Sequence, residues 1–360
     1  MNNVLVTGGA GFIGANFVRY MLNTRPGSKV VVLDALTYAG NLANLNDLSK
    51  FEAYEFIEGD INNRPLVESI LSKSKVDTIV HFAAETHVDR SIHSSRQFVE
   101  TNVMGTLNLL ECAAKAWLKD GMGALTKVRF HHISTDEVYG SLSQTEPAFS
   151  ESTAYSPNSP YAASKAASDH LVRAYGHTYG LPFTISNCSN NYGPFQYPEK
   201  LVALVILNAV EGKVLPIYGD GMQIRDWLYV EDHCKAITRI LDDGEPGETY
   251  NIGGKVQITN LKLVTKICAI LDAKLPDSAF RPHAALIQFV KDRPGHDRRY
   301  DMDIAKITRN LNWRPEFTLD MGLEATVSWY LENIDWVNHV QSKPDYTAWI
   351  NTQYGNRREK

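Results

Sequence analysis

A short apolar strand candidate, Val4–Thr7, runs straight into Gly8-Gly9-Ala10-Gly11-Phe12-Ile13-Gly14, and a helix-compatible stretch at about 12–24 follows at once. No other feature restricts the fold as strongly. Glycines at these spacings allow a tight turn, let backbone N–H groups approach a pyrophosphate, and pack a helix closely onto a sheet. The run satisfies both G-x-x-G-x-x-G from Gly8 and G-x-G-x-x-G from Gly9. Any strand-to-helix turn can carry glycines, so the context decides, and here it agrees. Asp34 ends a second strand candidate, Val30–Leu33, 20 residues past Gly14. A carboxylate there accepts hydrogen bonds from a ribose diol and repels a 2′-phosphate, which favours NAD over NADP. A turn or helix cap is the alternative for Asp34.

Further short β-branched runs, Tyr54–Ile57, Thr78–Phe82, Val128–Ile133 and Phe183–Ser186, alternate with helix candidates at about 65–74, 95–118 and 160–179. Six strands with helical crossovers predict a doubly wound parallel sheet of the Rossmann type. Beyond about residue 190 short elements separated by Gly and Pro predict a second, smaller α/β domain. Asp226–Asp243 again reads as strand then helix, and Tyr250-Asn251-Ile252 as one more strand, so the two domains interleave. We expect residues 1–189 with about 226–255 in a dinucleotide-binding domain, and about 190–225 with 256–345 in a substrate-binding domain.

A chain of 360 residues buries about three-quarters of its unfolded surface and needs no disulfides for stability. The formal charge of −5, with basic residues clustered only at the extreme C-terminus, argues against nucleic acid as a partner. Apolar runs fall short of the roughly 18 residues of a membrane span, and no leader is visible. Cys112, Cys188, Cys234 and Cys268 form no C-x-x-C pair, which predicts buried thiols in a reducing cytoplasm. His131 and His132, adjacent on a strand, point to opposite faces and cannot share an ion, and no metal is expected.

Tyr161-Ala162-Ala163-Ser164-Lys165 opens the helix candidate at 160–179, and i,i+4 spacing sets Tyr161 and Lys165 on one face. A phenol titrates near 10, and bringing it down to neutrality takes about 4 kcal/mol of differential stabilisation. An adjacent ammonium and an oxidised nicotinamide, both cationic, are expected to supply it. Tyr161 then deprotonates an alcohol. The fifth strand ends in Ser134-Thr135-Asp136-Glu137, at the sheet edge where open α/β folds bind ligands. Ser134 or Thr135 can hydrogen-bond the reacting oxygen. Alcohol oxidation needs no further carboxyl pair, so Asp136 and Glu137 imply two more proton transfers if their environments separate them into acid and base. On a hexose, oxidation at C4 acidifies the C5 hydrogen, a base removes it, and an acid helps the C6 hydroxyl leave as water. A loop cap or salt bridge is the alternative for the pair. Asp60-Ile61 and Ala83-Ala84, after the third and fourth strands, are shaped for the cofactor or are ordinary loop.

These residues resemble the extended short-chain dehydrogenase/reductases acting on nucleotide sugars. Ala83–Ser91, Ser134–Gly140, Cys188–Pro194 and Arg225–His233 resemble the dTDP-glucose 4,6-dehydratases among them, over about residues 2–335. The resemblance implies Asp136 as general acid at the C6 hydroxyl, Glu137 as base at C5, Tyr161 as base at the C4 hydroxyl, Thr135 as its partner, and Lys165 beside it. Related GDP-mannose dehydratases carry a different residue at the Asp136 position. For NAD it implies Gly8, Gly11, Phe12, Ile13, Gly14, Asp34, Thr37, Asp60, Ile61, Ala83, Ala84, Thr101, Tyr161, Lys165 and Asn191. For a nucleotide sugar it implies Thr86, His87, Asn190, Lys200, Leu201, Pro216, Tyr218, Arg225, Asn260, Arg293 and His296, with Tyr354 as a base-stacking contact. Arg225 and Arg293 suit bidentate pyrophosphate binding, although Arg225 also adjoins Asp226 and an ion pair is its alternative. Thr86 stands where many relatives have Ser. Family likeness and the apolar helices near 101–118 and 160–179 further imply a homodimer. The rival readings are a nucleotide-sugar 4-epimerase or decarboxylase on the same scaffold, and a non-catalytic NAD-sensing module.

Overall fold

The computed structural model describes residues 1–119 and 127–355. Six strands follow the alternating runs closely: β1 (Asn3–Thr7), β2 (Lys29–Asp34), β3 (Tyr54–Glu58), β4 (Thr78–His81), β5 (Arg129–Thr135) and β6 (Phe183–Cys188). They pair in parallel in the spatial order 3-2-1-4-5-6, and a seventh strand, Thr249–Ile252, joins beside β6. The expected Rossmann sheet is therefore present, with its topological switch between β1 and β4. Strand period 2 divides the sheet's apolar residues between two cores. Val4, Val6, Val30 and Val32 face one side, and Leu5, Val31, Leu33 and Ile79 the other.

Helices α1 (Phe12–Thr24), α2 (Arg64–Lys73), α3 (Val88–His93), α4 (Ser95–Phe98), α5 (Thr106–Ala114) and α6 (Pro160–Tyr179) supply the crossovers. α6 begins where its signals say it should, with Ser159 Oγ accepting from Ala162 N at 3.1 Å and Pro160 in the first turn. The single helix expected at 95–118 departs from regular form. Residues 99–105 and 115–119 open into wide turns flanking α5. The first of these directs Asn102 inward, where its side chain accepts from Glu85 N at 2.8 Å and donates to Ser164 Oγ at 2.8 Å. A segment read from periodicity alone is thus reshaped by a tertiary tie between the loop after β4 and α6.

The remaining chain forms β7 (Asn190–Tyr192), α7 (Leu201–Val210), β8 (Leu215–Tyr218), β9 (Ile224–Tyr229), α8 (Val230–Asp243), β10 (Thr249–Ile252, the seventh strand), β11 (Gln257–Thr259), α9 (Asn260–Lys274) and β12 (Ile287–Val290). Then come α10 (Ala305–Leu311), α11 (Leu319–Glu332), α12 (Ile334–Gln341) and α13 (Pro344–Gly355). β9 pairs with β7 and β11 in a three-stranded sheet, and β8 pairs with β12. α8, directly after β9, returns to the first body: Val230, Cys234, Ile237 and Leu241 share a core with α1. The chain thus crosses between bodies at Tyr229–Val230. A separate core joins α7, α9, α11 and α12 through Val205, Ile267, Val327 and Trp336.

All four cysteines are free and buried. No described helix is long and apolar enough to cross a membrane.

Candidate active site

One cleft runs across the carboxyl ends of the central strands, over the switch between β1 and β4. The glycine turn forms one end. Gly8 has φ +71°, and a Cβ there would lie 2.6 Å from Ala83 N; on Gly14 it would lie 2.3 Å from the Gly8 carbonyl oxygen. Side chains are thus excluded from both positions. α1 begins at this turn with no side-chain cap on its first amides, a cradle that fits a dinucleotide pyrophosphate. Asp34 combines the two readings made of it. Its carboxylate lines the cleft, and it also accepts from Ala10 N at 2.9 Å and Leu36 N at 2.8 Å. Burial pushes this carboxyl up, and the two amides oppose the shift.

Phe12, Ile13, Thr37, Asp60, Ile61, Ala83, Ala84, Thr101 and Asn191 line the same cleft. Asp60 holds Asn62 N at 2.8 Å in a local turn, and Asn191 Oδ1 lies 2.9 Å from His233 Nδ1. At the other end stand Thr135, Asp136, Glu137, Tyr161 and Lys165, together with Thr86, Asn190, Lys200 and Leu201. Thr135 Oγ1 donates to Asp136 Oδ1 at 3.2 Å and accepts from Glu137 N at 3.3 Å.

The two carboxyls differ in surroundings. Asp136 is 2 % exposed and its Oδ2 has no hydrogen-bond partner. Burial, and then the neighbouring Glu137 charge, push it well above the ordinary range. Burial also raises Glu137, but Arg293, Lys200 and Arg225 pull it back. One carboxyl is thereby held toward the protonated form, and the other is offered cationic partners.

In the chain itself, burial, then the Glu137 charge, push the Tyr161 phenol well up, and a Thr135 hydrogen bond opposes them only in part. Lys165 gives its ammonium to the Ile133 carbonyl at 2.7 Å, and burial brings it down to about 8.

The other residues expected at the substrate are not among those that line this cleft. Arg225, on β9, donates to the backbone carbonyls of Ile224 and Asp297 at 2.8 and 2.9 Å and covers the Tyr300 ring. Strand alternation turns Asp226 away, where it accepts from Val256 N at 2.8 Å, so the ion pair considered for Arg225 does not form. Arg293 keeps a buried Nη1 without a partner. His296 meets Asp292 Oδ1 at 2.5 Å, and its ring lies 6.0 Å from that of Tyr218. Pro216 sits within β8, and Asn260 opens α9 with its Oδ1 buried and unpartnered. His87 caps α3 and meets the Trp349 ring, and it is not among the residues that line the cleft. The Tyr354 side chain lies outside the described residues.

The cleft also contains Tyr38, Glu85, Ser189, Gln196, Tyr197, Glu199 and Trp227, none of which sequence reasoning selected. Glu85, Ser189 and Trp227 lie within the quoted motifs and were findable. Tyr38 and Tyr197, with rings 5.7 Å apart, and Glu199, bound by Arg90 at 3.0 Å, arrive only by tertiary packing.

The protein-family model described as GDP-mannose 4,6 dehydratase matches residues 5–326. A dTDP-glucose 4,6-dehydratase of Salmonella typhimurium is 52% identical over 363 residues, covering 98% of this chain and 99% of that protein. The chain belongs to the dTDP-glucose 4,6-dehydratase family. A dTDP-glucose 4,6-dehydratase of Streptomyces venezuelae, solved with NAD bound, superposes with a TM-score of 0.85 at 46% identity, covering 94% of this chain and 99% of that one. A UDP-glucose 4-epimerase of Thermotoga maritima is more distant, with a TM-score of 0.78 at 29% identity over 92% of this chain and 99% of that one.

A methyl group at Gly14 has backbone on every near side. Gly14→Ala is expected to weaken NAD binding by at least about tenfold, the ~1.4 kcal/mol of a modest displacement of the turn. Calorimetric titration measures it; unchanged affinity would show that the turn does not hold the pyrophosphate.

Proposed function

We propose that this protein is an NAD-dependent dehydratase that converts dTDP-glucose to dTDP-4-keto-6-deoxyglucose. The observation that carries the reading is the pair of adjacent carboxyls, buried Asp136 and half-buried Glu137, set apart by unequal surroundings at the end of β5. When bound, NAD supplies a hydride acceptor for C4 and a hydride donor for C6. Tyr161 takes the C4 hydroxyl proton, with Thr135 hydrogen-bonded to the same oxygen. The C4 ketone acidifies the C5 hydrogen, and Glu137, supported by Arg293, Lys200 and Arg225, removes it. Asp136, held protonated by burial, gives its proton to the C6 hydroxyl, which departs as water.

The residues expected to hold the cofactor form the β1–β4 end of the cleft. Arg225 and Arg293 take the substrate pyrophosphate, and Lys200, Asn190 and Thr86 orient the sugar. In this reading residues 1–189 with about 226–255 carry the dinucleotide, and about 190–225 with 256–345 carry the nucleotide sugar. Four free, buried thiols support a reducing cytoplasmic setting.

Glu137→Gln keeps the shape of the side chain and removes the base. Formation of the 4-keto-6-deoxy product from dTDP-glucose is expected to fall by about 10²–10⁴-fold while NAD binding persists. Unchanged dehydration, or dTDP-galactose or carbon dioxide as product, would contradict the proposal.

A homodimer belongs to the same reading. It is supported by exposed apolar side chains along the helices at 88–119 and the end of α6: Ile92, Val99, Met104, Leu118 and Tyr179. Sedimentation at micromolar concentration is expected to give twice the chain mass, and a monomer would remove this part.

A further inference from the structure

Lys165 is 4 % exposed, and its ammonium has one strong partner, the Ile133 carbonyl. A buried cation with so little hydration is costly unless a counter-charge stands nearby. One turn further along α6, on the same face, lies Asp169, which is completely buried. Its Oδ2 accepts from Ser134 Oγ at 2.9 Å, Tyr155 OH at 2.8 Å and Asn187 Nδ2 at 3.4 Å. Its other oxygen, Oδ1, faces His132 Nε2 at 3.3 Å, and that same nitrogen lies 3.5 Å from Lys165 Nζ.

We infer that Asp169, one turn further along α6, is the positioning residue that keeps Lys165 charged beside Tyr161; this rests on the dehydratase reading above. Three donors on one carboxylate oxygen favour its ionised form. Against the burial that raises it, contacts with His132, the Lys165 charge and the Tyr155 hydrogen bond hold Asp169 below its ordinary range. Among the described residues no lysine or arginine lies within ion-pair distance of Asp169, so its charge is left for the site. His132 is neutral: burial, and then the Lys165 charge, bring it down to about 4. It stands between the two charges without adding a third.

The other titratable groups facing this pair do not replace Asp169. His81, whose ring lies 5.2 Å from His132, is pushed well down by burial, and the Cys188 thiol is pushed up to about 12. Arg173 is tied to Tyr155 OH at 2.9 Å and adds positive charge, not negative. The Asp169 charge opposes the burial that lowers Lys165. Removing it lowers Lys165 further, so the ammonium is lost at a lower pH.

The test uses the NAD-loaded full chain. In wild type, turnover is expected to decline as pH rises through about 8, where Lys165 loses its proton. In Asp169→Asn this limb moves to lower pH, with kcat at pH 8 down by about tenfold for each unit of displacement. KM for dTDP-glucose stays constant, and the loss shrinks toward acid pH. Tyr155→Phe keeps the carboxylate and leaves the limb in place.

A second readout needs no substrate: the carbon-13 resonance of Lys165 Cε in lysine-labelled protein, assigned with Lys165→Arg. Its titration midpoint should fall in Asp169→Asn and stay near wild type in Tyr155→Phe. If Asp169→Asn fails to fold, Asp169→Ser, which also removes the carboxylate, is expected to lower the same midpoint. A midpoint unmoved by these changes, or equal shifts in Asp169→Asn and Tyr155→Phe, would overturn the inference. Absence of product from wild type would instead count against the dehydratase reading and leave the resonance result standing.

Discussion

Two neighbouring carboxyl groups in a water-poor pocket repel one another and resist ionisation, and the rest of the site answers that constraint. β5 carries Asp136 and Glu137 to the sheet's carboxyl edge, where burial raises both. The arginines and lysine that relieve Glu137 come from β9, from the loop after β12 and from the start of α7. None belongs to the seven-stranded sheet. The difference in surroundings between the two carboxyls therefore depends on contact between two bodies of the protein.

The same logic extends beneath the cleft. β5 presents His131 and His132 to opposite sides of the sheet, and each is absorbed differently. His131 is satisfied by the Thr184 and Ser186 hydroxyls at 2.9 and 3.2 Å, a purely internal arrangement. His132 instead stands between a buried cation and a buried anion. One strand thus carries the carboxyl pair at its end and, on one face, a histidine that lies between Lys165 and Asp169. Asn102 ties the same α6 to the loop after β4, so that Tyr161 and Lys165 are held relative to Thr86 and Glu85.

Much of this was legible in the sequence because it is local. Apolar β-branched runs, the Gly8–Gly14 turn, and the Ser159-Pro160 start of α6 act through backbone sterics and capping, and the structure follows them to within a residue or two. What escaped was set by partners distant in sequence. The wide turn at 99–105 answers Glu85 and Ser164; Tyr38 and Glu199 meet through Arg90; and β9 joins the small sheet although the helix after it packs on the large one. Spacing likewise placed Tyr161 and Lys165 on one face of α6, but not the Lys165 bond to the Ile133 carbonyl on β5. Arg225 and Asp226 were separable in principle, since neighbours on a strand point apart.

The account's central claim is that oxidation, water loss and reduction occur on one sugar, without release, between these two carboxyls. dTDP-glucose carrying deuterium at C4 tests it most directly, with the product examined by mass spectrometry and proton NMR. The account predicts that the label reappears in the C6 methyl group of the same molecule. A methyl group free of deuterium, with the label lost to solvent or retained at C4, would contradict it.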